Sequence, residues 1–545
     1  MIYHPTIMIL ASVIMMIISY KKQCIFSFIA LLMPIIASYF LYILPEKSTV
    51  DFLNLTLIYE GSAYNKLIGT AFIFVIFAAN LYALGQNKKD EVILGSSYGA
   101  FAFFCLLAGD FLSIFVGLEL MMVISAFIIF IGNIRSSLRS AKKYFLTHLI
   151  SSNMIIIGIV HLITKNNSLA IIPITELLYN PEYSTIMLYI MLLGMLINIA
   201  AFPFSGWMVN YYPQASPSGF LYLISFTTKV SIILLIKLFA GYEILQYVAI
   251  IMIIYASVKA LFENNILRLL CYLSIMSMGL MLLGISYGSE TAILATISYL
   301  FIHIIYKFLL SISIVSLIDQ TEIYDCSKLK KIKSKTIIAG LITGIITMIN
   351  LPMLSSFYIK SSITNVFYGT PVYFVILFLS FMTVIILPWK QYFTATEYFN
   401  IKLNMHTKLS ILFMIITLTI IGICGQYLPV LSNIKIFTKI SFISADVIKQ
   451  IIIILSALSL AMLWQTKRKI TKSINLIDTI GNFLFYYYAI WLSKKPPKEF
   501  VEPLAIESLE RQTTLKISSI HNQQTAIFIV FIIFIIMLIM LLTNM

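Results

Sequence analysis

The stretch FLSIFVGLELMMVISAFIIFIG, residues 111–132, decides the class of fold. Its apolar residues run on without alternation, and Glu119 is its single charged side chain. About 20 predominantly apolar residues carry a helix across the hydrocarbon core, and only helices or closed barrels satisfy every backbone group there. A barrel strand would alternate between lipid and lumen; this run does not. It reads as a membrane helix. Ser184–Ile197 and Ala526–Leu542 carry no charge at all and read the same way.

The rest of the chain extends that reading. Of 545 residues, 60% are apolar and 11% charged, with a mean hydropathy of +0.97. A soluble domain carries about a quarter charged residues. Spans are expected near 5–20, 23–45, 68–86, 92–109, 111–132, 144–164, 184–204, 218–240, 244–262, 268–286, 291–318, 336–354, 370–389, 408–426, 449–465 and 525–543. The fourth and fifth abut at Asp110, so a tight turn must join them. The fold class is therefore an all-α polytopic membrane protein with about 14–16 transmembrane helices.

The net charge of +15 does not point to nucleic acid. Lys21 and Lys22, Lys88 and Lys89, and the cluster Arg135, Arg139, Lys142 and Lys143 fall in short loops beside apolar spans. So do Arg268, the run Lys328–Lys335, and Lys467, Arg468 and Lys469. With the N-terminus outside, all of them lie on the inner side, as the positive-inside rule requires. The first apolar run starts near Thr6, lacks a basic leader and is followed by Lys21 and Lys22, so it reads as a retained span. Ile474–Gln524 mixes Phe483, Phe485, Tyr486, Tyr487, Tyr488 and Trp491 with Lys494, Lys495, Pro496, Pro497 and Lys498. That composition suits a surface-lying amphipathic helix, or else an ordinary inner loop. The five cysteines (Cys24, Cys105, Cys271, Cys326, Cys424) have neither CxxC nor metal-ligand spacing. No metal and no cofactor is expected, and no Rossmann glycine pattern follows a strand.

Ionisable residues inside spans carry the functional signal, because each costs roughly 3 kcal/mol at the bilayer centre unless it faces protein or water. Glu119 sits midway along its span, as a proton site or as half of a structural ion pair between helices. Lys229, in SFTTKVSIILLIKLF, is midway along another and is a candidate switchable site; Lys237, near that span's end, reads as a snorkelling lysine. His303 and Lys307, in SYLFIHIIYKFLL, stand four residues apart and so share a helix face. A lone intramembrane histidine is often only a helix–helix hydrogen bonder; a His–Lys pair on one face suits a relay. Pro203, in INIAAFPFSGW, and Pro388, in VIILPWKQYF, are expected to break helices, as in ion-transport folds, although a lone proline is more often a kink.

Taken together these residues resemble a known family. FVGLEL around Glu119 looks like the FxGLEL segment of the antiporter-like subunits of respiratory complex I (the large L, M and N types) and of Mrp-type cation/proton antiporters (A and D types). RSAKKYFL (Arg139–Leu146) is similar to the family's amphipathic entry into the next span. FPFSGWMVNYYPQASPSGF (Phe202–Phe220) resembles FPFHxWLPDAHxxAPTPVSA, and TKVSIILLIKLF (Thr228–Phe239) resembles VKAGxYLLLR. NILRLLCYLSIMSMG (Asn265–Gly279) looks like DxKRLLAYSSISHMG, HIIYKFLL (His303–Leu310) like HAxFKALL, and LPMLSSFYIK (Leu351–Lys360) like LPPFSGFxSK. The matches occur in order across Phe111–Lys360.

The resemblance implies two inverted five-helix repeats with broken helices at Pro203 and Pro388. It implies a proton pathway of Glu119, Lys229, His303 and Lys307, with Lys390 as the nearest candidate for the terminal site. The implied boundaries are 1–91 for N-terminal helices, 92–240 and 241–407 for the repeats, and 408–465 for C-terminal helices. An amphipathic surface segment (466–524) and a final helix (525–545) complete it. The implied partners are other membrane subunits of an antiporter or complex I-like NADH-quinone oxidoreductase, and the lipid bilayer, in a bacterial inner membrane rather than a mitochondrial one. No catalytic residue is implied, and any oxidoreductase chemistry would belong to the assembly. The chain departs from the pattern at four positions. The family lysine five residues before the FPF proline is Asn198, the FPFH histidine is Ser205, the DxKR lysine is Leu267, and the LPDAH acid is Asn210. Those departures motivate an alternative, a degenerate paralogue with a structural or assembly role.

Overall fold

The computed structural model describes residues 4–52, 55–132, 136–326, 331–352, 354–392, 398–399, 401–424 and 445–465. The expected surface segment (466–524) and final span (525–543) lie outside the described residues. Met1–Val50 with Thr56–Ile474 form one unit, and Asp51–Leu55 with Asn475–Met545 a second. The account below concerns the first.

The helices are α1 (Pro5–Ile18), α2 (Gln23–Ile43), α3 (Ala63–Gly85), α4 (Lys89–Leu107), α5 (Phe111–Phe130) and α6 (Ser137–Asn166). Next come α7 (Thr185–Asn198), the short α8 (Gly206–Tyr211), α9 (Pro217–Leu223), α10 (Thr227–Phe239), α11 (Ile244–Phe262), α12 (Ile266–Tyr287) and α13 (Glu290–Thr321). The series ends with α14 (Lys335–Met348), α15 (Ser355–Val366), α16 (Pro371–Tyr392), α17 (Met405–Cys424) and α18 (Ala445–Gln465). Strands β1 (Lys47–Phe52) and β2 (Leu55–Glu60) lie between α2 and α3, and β3 (Lys331–Ile332) pairs in parallel with β4 (Tyr398–Phe399). Every expected span up to 449–465 has its helix, and among the described residues ten stretches are long and apolar enough to cross a membrane. The chain is a multi-pass, all-α membrane protein.

Burial sorts the helices into layers. The most apolar stretch of α13 is wholly buried, and it packs on α3, α9, α12, α14, α15 and α17. On α2, α11 and α17 most of the surface faces outward, with Phe28, Tyr39, Ile251 and Ile416 exposed. In water such a surface would be a liability; in lipid it is the required one.

The α4–α5 turn is held by Asp110, which is fully buried. Its carboxylate accepts from Ser113 N (2.7 Å), Ser113 Oγ (2.8 Å) and Ile58 N (2.8 Å). It therefore caps α5 and ties the turn to β2 in one contact set.

Two 14-residue helices, α7 and α14, end in the same way. After α7, Ala200 adopts φ +60°, its N–H bonds to Ile197 O (3.0 Å), and Ala201 N–H reaches back to Leu196 O (2.9 Å). After α14, Asn350 adopts φ +55°, its N–H bonds to Thr347 O (3.1 Å), and Leu351 N–H reaches Ile346 O (3.2 Å). Both are Schellman closures with a left-handed residue just past the cap. In each case the chain continues as a short helix, α8 or α15.

The first break falls at Pro203, as expected, with a cis Phe202–Pro203 bond. The second does not fall at Pro388. Helix α16 continues through that residue to Tyr392, because a proline removes one helical hydrogen bond and kinks a helix more readily than it ends one. The second break lies at Asn350, where the left-handed residue turns the chain.

Candidate functional site

Glu119 is on α5, 8% exposed, and the Ser152 hydroxyl of α6, which donates to Leu149 O (3.2 Å), lies near enough to act on its carboxylate. It has no lysine partner on α7. The amide of Asn198 occupies that place, with its Oδ1 2.8 Å from His148 Nδ1 and 2.9 Å from Ser151 Oγ. Helices α6 and α7 can approach this closely because α7 carries Gly194. A Cβ there would lie 2.6 Å from the Ser151 carbonyl oxygen.

Lys229 lies at a discontinuity. Helix α9 ends at Leu223 and α10 starts at Thr227, which frees the Ile224 carbonyl from helical bonding. The Lys229 ammonium, 1% exposed, donates to that carbonyl and to Thr228 Oγ1 (3.2 Å). A cation at the carbonyl end of α9 is also favoured by the helix dipole. A buried hydroxyl cluster adjoins it: Tyr98 bonds to Thr227 Oγ1, and Tyr144 accepts from Ser125 Oγ (2.9 Å) while its ring lies 5.9 Å from that of Tyr212. Tyr144 also packs on His148, centroid to centroid 4.3 Å. Tyr98, Tyr144, Tyr212 and His148 thus form a buried polar cluster beside the α9–α10 discontinuity.

His303 and Lys307 share one face of α13, as their spacing requires, and are 0% and 1% exposed. His303 Nδ1 pairs with Tyr306 OH at 2.8 Å, and that hydroxyl lies 3.3 Å from Ser277 Oγ and 3.4 Å from Tyr299 OH. Among the described residues, neither His303 Nε2 nor Lys307 Nζ has a hydrogen-bond partner. Lys229, Cys271, His303 and Lys307 are close enough to act on one another electrostatically. The sequence singles out three of these; only the fold shows that they meet.

A third lysine is buried as well. Lys360 on α15 is 5% exposed, and its ammonium donates to Ser380 Oγ on α16 at 2.7 Å. It lines a cleft with Asn350, Ser361, Asp446, Lys449 and Gln450. Among the described residues, Lys229, Lys307 and Lys360 have no carboxylate within ion-pair distance, unlike Lys237, which bridges Glu60 at 3.0 Å. Lys237 does not snorkel to water. It also donates to Ala108 O (2.7 Å), so it clamps the carbonyl end of α4.

Lys390, the nearest candidate for the terminal site, lies near the end of α16, and its side chain is outside the described residues. Lys360, on which the motif LPMLSSFYIK ends, and His148, two residues beyond the RSAKKYFL segment, are not among the residues that the sequence singles out. Ser205, at the family's histidine position, bonds to Tyr255 OH at 3.3 Å.

A protein-family profile described as "NADH:quinone oxidoreductase/Mrp antiporter, TM" matches residues 108–386, just over half of the chain. NADH-quinone oxidoreductase subunit N of Francisella tularensis subsp. holarctica is 24% identical over 403 residues, covering 69% of this chain and 82% of that protein. The subunit N of Buchnera aphidicola subsp. Schizaphis graminum is 23% identical, covering 64% and 76%. Two solved structures share the fold. One is a chain of the Mrp complex from a Dietzia species (TM-score 0.68, 15% identity, 80% of this chain and 96% of that one). The other is a chain of an archaeal membrane-bound sulfane sulfur reductase (TM-score 0.69, 16% identity, 83% and 99%).

Proposed function

The chain belongs to the NADH:quinone oxidoreductase/Mrp antiporter transmembrane family, and from that premise we propose that it conducts protons as one subunit of a multi-subunit membrane complex. The observation that carries the reading is the set of three buried lysines, Lys229, Lys307 and Lys360, with no carboxylate within ion-pair distance among the described residues. A lysine buried for structure is paired, as Lys237 is with Glu60. An unpaired one is costly in either medium, and its use is to change protonation state as its neighbours do. The pathway runs from Glu119 through Lys229 and the His303–Lys307 pair to Lys360, which replaces Lys390 as the terminal site. Protonation of Lys229 raises the cost of protonating Lys307, because like charges near one another repel in a low-dielectric core. Protons therefore move in alternation along the line.

The repeats correspond to residues 92–240 and 241–407, each containing one 14-residue helix closed by a left-handed residue before its break. The setting is a bacterial inner membrane, with partners that are the remaining membrane subunits of an NADH-quinone oxidoreductase or an Mrp-type antiporter. Asn198 speaks for the alternative, a paralogue without conduction, and the three unpaired lysines speak against it.

The test is proton uptake by membrane vesicles carrying the native complex, followed with a pH-sensitive fluorophore and driven by NADH or by a sodium gradient. Lys229→Met and Lys360→Met are each expected to lower the rate at least tenfold while the complex still assembles on native gels. Wild-type rates in both would overturn the reading.

A further inference from the structure

His148 is 4% exposed, wedged between Trp207 (ring centroids 4.5 Å) and Tyr144 (4.3 Å). Its Nδ1 meets Asn198 Oδ1 at 2.8 Å, and its Nε2 has no hydrogen-bond partner among the described residues. An amide oxygen only accepts, so Nδ1 carries the proton and Nε2 is the bare, basic nitrogen. Ser152, one helical turn further along α6, lies near the Glu119 carboxylate. We propose that His148, oriented by Asn198, is the proton carrier of the first repeat, occupying the role that the missing α7 lysine would fill.

The exchange is chemically coherent. A lysine at position 198 would set its ammonium against the imidazole, and two cations in contact disfavour the protonated ring. The neutral amide removes that repulsion. It also accepts from Nδ1 whether or not Nε2 is protonated, so the ring keeps its orientation through the cycle. Taking up a proton makes one Nε2–H bond and turns imidazole into imidazolium; passing it on breaks the same bond and restores the neutral ring. No other bond changes. The titratable side chains around the pair are Tyr144 and, through Ser152, Glu119. Trp207 and Tyr144 screen the ring from lipid.

This rests on the reading of Glu119 as a proton site, and the test separates the two. In the vesicle assay on the assembled complex, His148→Gln is expected to lower proton uptake at least tenfold. The double substitution His148→Gln with Asn198→Lys is expected to recover a third or more of the wild-type rate, because a titratable amine returns to the family's position. A purely structural role for His148 predicts no such recovery, so loss without rescue overturns the proposal. Wild-type uptake in His148→Gln alongside loss in Glu119→Gln overturns it too, while leaving the proposed function standing. Wild-type uptake in both defeats the two together. If His148→Gln does not assemble, Asn198→Leu decides: it removes the acceptor at Nδ1, while Ser151 Oγ, which also donates to Asn198 Oδ1, keeps its bond to Gly194 O (2.7 Å); slowed uptake supports the proposal where an unchanged rate overturns it.

Discussion

Lys307 puts the cost of this design in one side chain. It is 1% exposed, and its ammonium has no hydrogen-bond partner among the described residues. Replacing a buried charge with an apolar residue of similar shape is often neutral or stabilising. Lys307→Met is therefore expected to leave the melting temperature of the purified complex unchanged or raised while cutting proton uptake at least tenfold. A lower melting temperature with intact uptake would make Lys307 a structural residue. Glu119, Lys229, His303 and Lys307 were legible in the sequence because each interrupts an otherwise apolar run. Lys360 was not, since SSFYIKSS is polar enough to look like a loop, whereas Lys390 drew attention through its neighbour Pro388. His148 was hidden by Arg139, Lys142 and Lys143, which make the start of α6 read as an entry segment. Its importance comes from Asn198 on another helix, a contact that no local pattern encodes.

At the scale of elements, the two Schellman closures set where the breaks fall. Ala200 holds a left-handed conformation without being glycine, which strains an L-residue by about 1–2 kcal/mol. Ala200→Gly is expected to raise the melting temperature or leave it unchanged, and Ala200→Val to lower it by several degrees; the opposite order would mean that the cap does not set the break. Gly194 is a second control point, because a side chain there meets the backbone of Ser151. Gly194→Leu is expected to force α6 from α7, separate His148 from Asn198, and reduce both assembly and uptake; normal values in both would contradict that account. The order of the long apolar helices could be read from hydropathy alone, but the short α8 and α15 could not. The positions of the breaks could be read only in part. Pro203 marked the first, but the second depends on Asn350, and a left-handed turn at an asparagine leaves no signal as strong as a proline's. The gap between α9 and α10 was likewise invisible, since Pro217–Phe239 carries no charge apart from the two lysines and reads as one continuous span.

At the scale of the molecule, a helix wholly buried along its most apolar stretch carries the His–Lys pair while outer helices expose apolar surface to lipid. The motif order from Phe111 to Lys360 was enough to identify the family, and the matched span of 108–386 covers the same region. Purification from native membranes in mild detergent is expected to bring down further membrane subunits; recovery of the chain alone would contradict a role inside a complex. Co-purifying flavin and iron–sulfur subunits would place it in an NADH-quinone oxidoreductase, and small antiporter subunits without them in an Mrp-type complex. The central claim is that protons cross through the buried line beginning at Glu119. Its most direct test is proton uptake by vesicles containing the complex with Glu119→Gln, which keeps the shape and removes the titratable group. Assembly at wild-type levels is expected, with uptake reduced at least tenfold. Full uptake by the assembled variant would contradict it.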